Sequence, residues 1–182
     1  MFDSHTHPQF SAFDADREAV IERARAAGVR MLCVGTQRDT SAAAVALAKK
    51  YPGLIYASVG LHPIHTEKSY HDTKELGEGE AAKAFTSRGE EFDYEYYRRL
   101  ATDPAVVAIG ECGLDYYRIG DRGQVLGARK EKQREVFLAQ IKIAREMQKP
   151  LMIHCRPSPG TDDAYGDLLA LLPNTSHLAP KI

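Results

Sequence analysis

A chain of 182 residues is long enough to bury a full core and sets a prior of one domain or slightly more. With 24 Lys plus Arg against 25 Asp plus Glu and 43% hydrophobic residues, its composition is that of an ordinary globular protein, not a disordered or fibrous one. The near-zero net charge excludes a generally basic, duplex-coating protein, so any contact with nucleic acid must be local.

Apolar, β-branched runs alternate with helical patterns along the chain. Strands are predicted near residues 1–6, 29–35, 54–60, 105–111 and 150–154. A first helix, about 14–27, places Ala19, Val20, Arg23, Ala24 and Ala27 on one stripe and stops at Gly28. A second, about 40–51, is alanine-rich and ends before Pro52, which cannot continue it without losing a backbone bond. After His62 a charged, Gly-containing stretch, about 66–90, reads as a variable insertion, followed by a helix near 90–101. The helix predicted at 128–148 presents Val136, Phe137, Ile141, Ala144 and Met147 as the face that covers the sheet. A last helix, about 162–172, begins at an acidic pair and stops before Pro173. Five βα units in one α/β domain imply parallel strands, in an open doubly wound sheet or a closed TIM (β/α)8 barrel. No Gly-x-Gly-x-x-Gly turn follows the first strand, which favours the barrel.

With the first strand starting at Phe2 there is no room for a cleavable leader, and no later apolar run approaches the ~18 residues of a membrane span. A cytoplasmic protein with no membrane partner is expected. Cys33, Cys112 and Cys155 are odd in number and lie in or beside strands, which argues for reduced, buried thiols and against a disulfide framework.

The candidate chemistry sits where apolar runs end. His5 and His7 are two apart, so strand alternation points both to one face, ~6.5 to 7 Å apart at their α-carbons. The pair suits one metal ion, although His-x-His alone also fits solvated or core histidines. Glu111 follows Val106-Val107-Ala108-Ile109-Gly110, and a carboxylate at the end of an interior strand needs a partner: a metal ion, or an arginine such as Arg118 or Arg156. His154 closes the fifth strand in the same way. If Glu111 and His154 face the barrel mouth, Cys112 and Cys155 face the helix layer. A carboxylate between two histidine groups suits two metal ions, the arrangement that activates water and clamps a phosphoryl oxygen. His62, in the turn after the third strand, is a candidate for a substrate phosphate or a metal ligand's hydrogen bond, while His65 is expected to be solvated. His71 and His177 are not counted as ligands. Arg118 and Arg156 closely follow strand-end ligands and suit bidentate phosphate binding. The basic run Arg122, Arg129, Lys130, Lys132 and Arg134, interleaved with Tyr116 and Tyr117, fits either base stacking along a strand or a solvated helix start compensated by Glu131 and Glu135.

Four ordered motifs resemble the TatD family of metal-dependent hydrolases, within the amidohydrolase-like barrels: Phe2-Asp3-Ser4-His5-Thr6-His7, Val59-Gly60-Leu61-His62-Pro63, Ala108 to Tyr116, and Pro150 to Arg156. The resemblance implies an eight-stranded barrel with deoxyribonuclease activity of the 3'-5' exonuclease type on single-stranded or frayed DNA. It implies two divalent ions (Mg, Mn or Zn) and no obligatory protein partner for the full-length form. It assigns His5 and His7 to one metal, Glu111 as the bridge and catalytic residue, His154 to the second metal, and His62 to a supporting or phosphate contact. Members of the family also have a later strand ending in a histidine and a last strand with a Thr-Asp pair, neither of which is present here. Barrels of this kind need about 200 to 250 residues, so a C-terminally incomplete domain with about the first five βα units is expected. Two rival readings remain: a barrel hydrolase of a small amide, lactone or phosphate ester, and a non-catalytic metal-binding fragment that needs a partner.

Overall fold

The computed structural model describes residues 1–68, 70–71, 85–86, 89–117 and 123–172. In chain order these form β1 (Phe2–Thr6), α1 (Arg17–Ala26), β2 (Arg30–Val34), α2 (Arg38–Lys50), β3 (Ile55–Val59), β4 (Tyr70–His71), β5 (Phe85–Thr86), α3 (Tyr94–Ala101), β6 (Val106–Asp115), α4 (Gly123–Met147), β7 (Leu151–Arg156) and α5 (Asp163–Leu171). Five strands pair in parallel in the order β1-β2-β3-β6-β7, and β4 and β5 form a separate antiparallel pair. The five-stranded sheet is the curled wall of half a (β/α)8 barrel, as the alternating pattern predicts. Most of the predicted insertion, together with Arg118, Arg122 and His177, lies outside the described residues.

The core lies between the sheet and its helices. Ile21 of α1, Val45 and Leu47 of α2, Tyr97 of α3 and Ile143 of α4 pack in one cluster with Cys33, Ile55, Ala57, Val59 and Ile109 of the strands. Burying each large aliphatic side chain contributes roughly 1.5–3 kcal/mol. On α4, Val136, Phe137, Ile141 and Ala144 are buried as predicted. The stripe expected on α1 is displaced: Ile21 is fully buried and Ala24 packs beside it, while Ala19, Arg23 and Ala27 are exposed. One isoleucine outweighs a set of alanines, because burial follows apolar area. That helix also starts three residues late, since Arg17 reaches back to accepting carbonyls of Pro8 and Phe10 and holds the preceding turns.

β6 runs four residues beyond the predicted end at Glu111. In its pairing with β7, Ile109 lies opposite Leu151 and Cys112 opposite Ile153, so β6 carries one extra residue at Gly110–Glu111. This bulge breaks strict alternation: Ile109 and Cys112, three apart, both reach the helix layer, and Glu111 is turned to the other face. Gly110 and Gly113 flank the carboxylate with φ of +141° and +138°, a region that favours glycine. A Cβ on Gly113 would collide with the His154 carbonyl oxygen, and one on Gly110 with that of Met152. Gly113→Ala is expected to destabilise the fold by about 3 kcal/mol or more in a urea titration. Gly127→Ala, on open helix surface, should be neutral or stabilising by up to about 1 kcal/mol. Equal effects at the two positions would contradict the close approach of β6 and β7.

Candidate metal centre

Glu111 is 7% exposed and is the hub of the site. Its backbone N–H donates to Gly35 O at 2.9 Å, fixing β6 against the end of β2. One side-chain oxygen, Oε2, lies 3.2 Å from His5 Nε2; the other, Oε1, lies 3.2 Å from His154 Nδ1 and 3.6 Å from His62 Nε2. His7 stands beside His5, with ring centroids 5.1 Å apart. Donor atoms of His5, His7 and Glu111 fall within 4.8 Å of one another, and so do those of His62, Glu111 and His154. The two clusters share Glu111. Its pairing is with histidines rather than with Arg156, whose guanidinium lies over the Tyr117 ring, 3.7 Å from its centre.

The hydrogen bonds also fix which imidazole nitrogens are available. His7 Nδ1 lies 2.9 Å from Val34 O, an acceptor only, so Nδ1 carries the proton and Nε2 keeps its lone pair. His62 Nδ1 accepts from Ile64 N–H at 3.2 Å, so in the neutral ring Nε2 carries the proton and donates toward Glu111. His62 is thereby a hydrogen-bond donor and a poor ligand, despite lying among donor atoms close enough for a cation. His154 Nε2 lies 2.8 Å from Asp115 Oδ2, which leaves Nδ1 turned to Glu111.

Burial holds His7 and His62 below the ordinary imidazole range. Burial would raise Glu111 and Asp115, but hydrogen bonds from His154, and for Glu111 also from His62, pull both carboxylates below their usual range. His154 goes the other way: burial opposes its charge, yet Asp115 and Glu111 push it up to about 9. Two anionic carboxylates, two neutral imidazoles and one proton-retaining imidazole leave a centre that calls for positive charge. The two clusters that share Glu111 could each hold a divalent cation, through His5, His7 and Glu111 on one side and, once His154 Nδ1 has given up its proton, through Glu111 and His154 on the other.

The sequence profile of the family described as "TatD related DNase" matches residues 2–180. The chain belongs to this family. Over 173 residues it is 36% identical to a protein of Cronobacter turicensis named "3'-5' ssDNA/RNA exonuclease TatD", covering 94% of this chain and 53% of that protein. A protein of the same name from Erwinia tasmaniensis is 36% identical over 158 residues, 86% of this chain and 50% of the relative. The chain spans about half the length of the curated relatives it matches. Among solved structures, YJJV, a TatD homolog from Escherichia coli K12, aligns with a TM-score of 0.61 at 25% identity over 94% of this chain and 56% of that one. A hydrolase TatD family protein from Entamoeba histolytica aligns with a TM-score of 0.66 at 19% identity, over 97% and 55% of the two chains, a likeness of fold.

In this TatD family member the structure brings together His5, His7, His62, Glu111 and His154, and places Arg156 two residues along β7 from His154. His65, expected to be solvated, is buried. Cys112 and Cys155 pack into the helix layer, with Phe137 and Ile141 and with Leu114 and Ala164 respectively. The basic start of α4 is compensated: Arg129 pairs with Glu67, Lys130 with Asp163, Lys132 with Glu91, and Arg134 with Glu131 and Asp167. Tyr116 is 2% exposed with its hydroxyl on Asp167, so it offers no stacking surface. Sequence reasoning missed Asp115, which is two strand periods from Glu111 and so shares its face. It also missed Gln133 and Gln140, seven apart on α4. Gln133 clasps the backbone N–H and C=O of Asp115, and Gln140 those of Leu61, pinning the two segments that carry Asp115 and His62. Among the described residues no helix is long and apolar enough to cross a membrane.

In metal-free protein, His154 contributes stability that is full below its unfolded pKa of ~6.5 and lost as pH rises through about 9. The depressed carboxylates contribute above ~4 and lose that contribution as pH falls. The urea midpoint is thus expected to fall between pH 6.5 and 9.5, and Asp115→Asn to flatten that decline. An unchanged slope in the variant would show that Asp115 does not hold the His154 proton.

Proposed function

We propose that this chain carries the active centre of a metal-dependent phosphodiester hydrolase that removes nucleotides from the ends of single-stranded DNA or RNA. The observation that carries the reading is the sharing of one buried carboxylate, Glu111, by two histidine groups. Belonging to the TatD related DNase family and the exonuclease names of the relatives agree with it. In this reading His5, His7 and Glu111 would hold one divalent ion (Mg, Mn or Zn) and Glu111 and His154 a second. When bound, such ions would supply polarisation of a phosphoryl oxygen and a lowered pKa of water near neutral pH.

The chain's own side chains do the rest. Asp115 accepts from His154 Nε2 and turns Nδ1 toward the centre, the role that outer carboxylates play for ligating histidines. His62, with its proton on Nε2, donates to Glu111 or to an anionic oxygen of the substrate. Arg156, and Arg118 nearby in sequence, receive the phosphate backbone leaving the centre. These residues belong to one domain, with 66–90 a variable insertion in it. Three unpaired thiols suit a cytoplasmic setting.

The test is release of mononucleotides from a single-stranded oligonucleotide in Mn2+ or Mg2+. Glu111→Gln is expected to lower the rate by about 10²–10³ or more, and a chelator to abolish it. If DNA and RNA stay inert while small amides, lactones or phosphate esters turn over, the nuclease reading is wrong and the rival barrel hydrolase takes its place.

A further inference from the structure

In a parallel sheet the N–H and C=O of one residue point to the same neighbouring strand, and the next residue points to the other. At the end of β6 the Tyr116 N–H donates to Arg156 O at 2.8 Å, toward β7, so the N–H and C=O of Asp115 point toward β3. Among the described residues no part of β3 meets them. The pairing of β3 with β6 ends at Val59 opposite Ile109, and the chain then leaves through the short helical turn Pro63–His65. A gap thus separates the end of β6 from the turn that carries His62. His62 and His154, which reach the centre from either side of it, meet with ring centroids 4.2 Å apart.

Gln133 of α4 fills this gap. Its Oε1 accepts from Asp115 N–H at 2.8 Å, and its Nε2 donates to Asp115 O at 2.9 Å and to Pro63 O at 3.4 Å. The amide thereby uses its oxygen and both hydrogens, on two different segments, and at 5% exposure it is shielded from competing water. Its hold on Asp115 matters at the centre. Asp115 Oδ1 accepts from Tyr117 N–H at 3.0 Å, which leaves Oδ2 for His154 Nε2 at 2.8 Å. A carboxylate at a strand end moves with its backbone, and a displacement of ~1 Å would take that bond out of hydrogen-bonding range.

Resting on the nuclease reading, we propose that Gln133 is a positioning residue of the centre: braced on Pro63, it fixes the end of β6 and so aims the Asp115 carboxylate at His154. It acts through Asp115 and touches neither substrate nor ligand side chains.

The direct readout is a proton NMR spectrum of metal-free protein at pH 7 with the imidazole nitrogens 15N-labelled. The wild type is expected to show a low-field signal for the His154 Nε2 proton, held by Asp115 against exchange. Gln133→Met, close in volume but unable to make any of the three bonds, should lose it. Gln133→Ser, which admits water to the freed backbone groups and so folds where the methionine leaves them unpaired, should lose it too. Gln140→Met breaks the matching clasp on Leu61 and should keep it. A wild type without the signal, a signal that survives at Gln133, or one lost equally in Gln140→Met overturns the proposal. In the metal-loaded protein Gln133→Met should lower kcat about tenfold at unchanged KM, the low end of the cost for groups that support metal ligands. In an Asp115→Ala background the same change should cost less than about twofold, because nothing is left to aim. Losses that multiply in the double variant would show a merely structural clasp and overturn the proposal. Failure of the nuclease reading is separate: the wild type would then cleave no strand with any metal, while the NMR comparison would still decide the role of Gln133.

Discussion

A carboxylate that is 7% exposed must be neutralised or partnered, because stripping it of water costs several kcal/mol. Glu111 meets that constraint by spending both oxygens on histidines that arrive from three other strands or strand ends. His5 comes from β1, His62 from the turn after β3, and His154 from β7. The parallel order β1-β2-β3-β6-β7 brings all of these to one face, since every strand of such a sheet ends on the same side. Histidine is the partner that also leaves room for a cation. An arginine would have filled the space with its own charge and closed the site to chemistry.

Two devices hold this arrangement. The extra residue at Gly110–Glu111 turns the side chain out of the helix layer, and the flanking glycines let β6 and β7 approach closely enough for His154 to reach it. Behind the sheet, Gln133 and Gln140 use a whole amide each on the backbone of Asp115 and Leu61. A buried amide that both donates and accepts fixes position without adding charge, which would compete with the centre. The TatD family match and the fold likeness place these devices in a recognised barrel class.

Much of this was legible in the sequence because it follows local rules. Strand alternation placed His5 with His7, and separated Glu111 and His154 from Cys112 and Cys155. Helical spacing found the buried face of α4 but not its two glutamines, because a polar residue at a core position announces itself only when its backbone partner is known. The end of β6 was misplaced by four residues, since Glu111 reads as a terminator in a one-dimensional pattern and its partners lie 49 to 106 positions upstream and 43 downstream. That error hid Asp115, although the same even spacing that selects Glu111 selects it. The protonation pattern of His7 and His154 was beyond any sequence rule, because Val34 O and Asp115 become their neighbours only in the fold, whereas His62 takes its proton position from a local turn, accepting from Ile64 N–H two residues on.

The proposed centre has Glu111 as the shared hub of two cation sites. Its most direct test is calorimetric titration of the metal-free protein with Mn2+, comparing the wild type with Glu111→Gln, His5→Ala and His62→Gln. Two bound ions are expected in the wild type. Both should be lost or weakened at least tenfold in Glu111→Gln, one should be lost in His5→Ala, and neither in His62→Gln. Retention of one ion at undiminished affinity in Glu111→Gln would contradict a shared carboxylate, and loss of an ion in His62→Gln would contradict the proton placed on its Nε2.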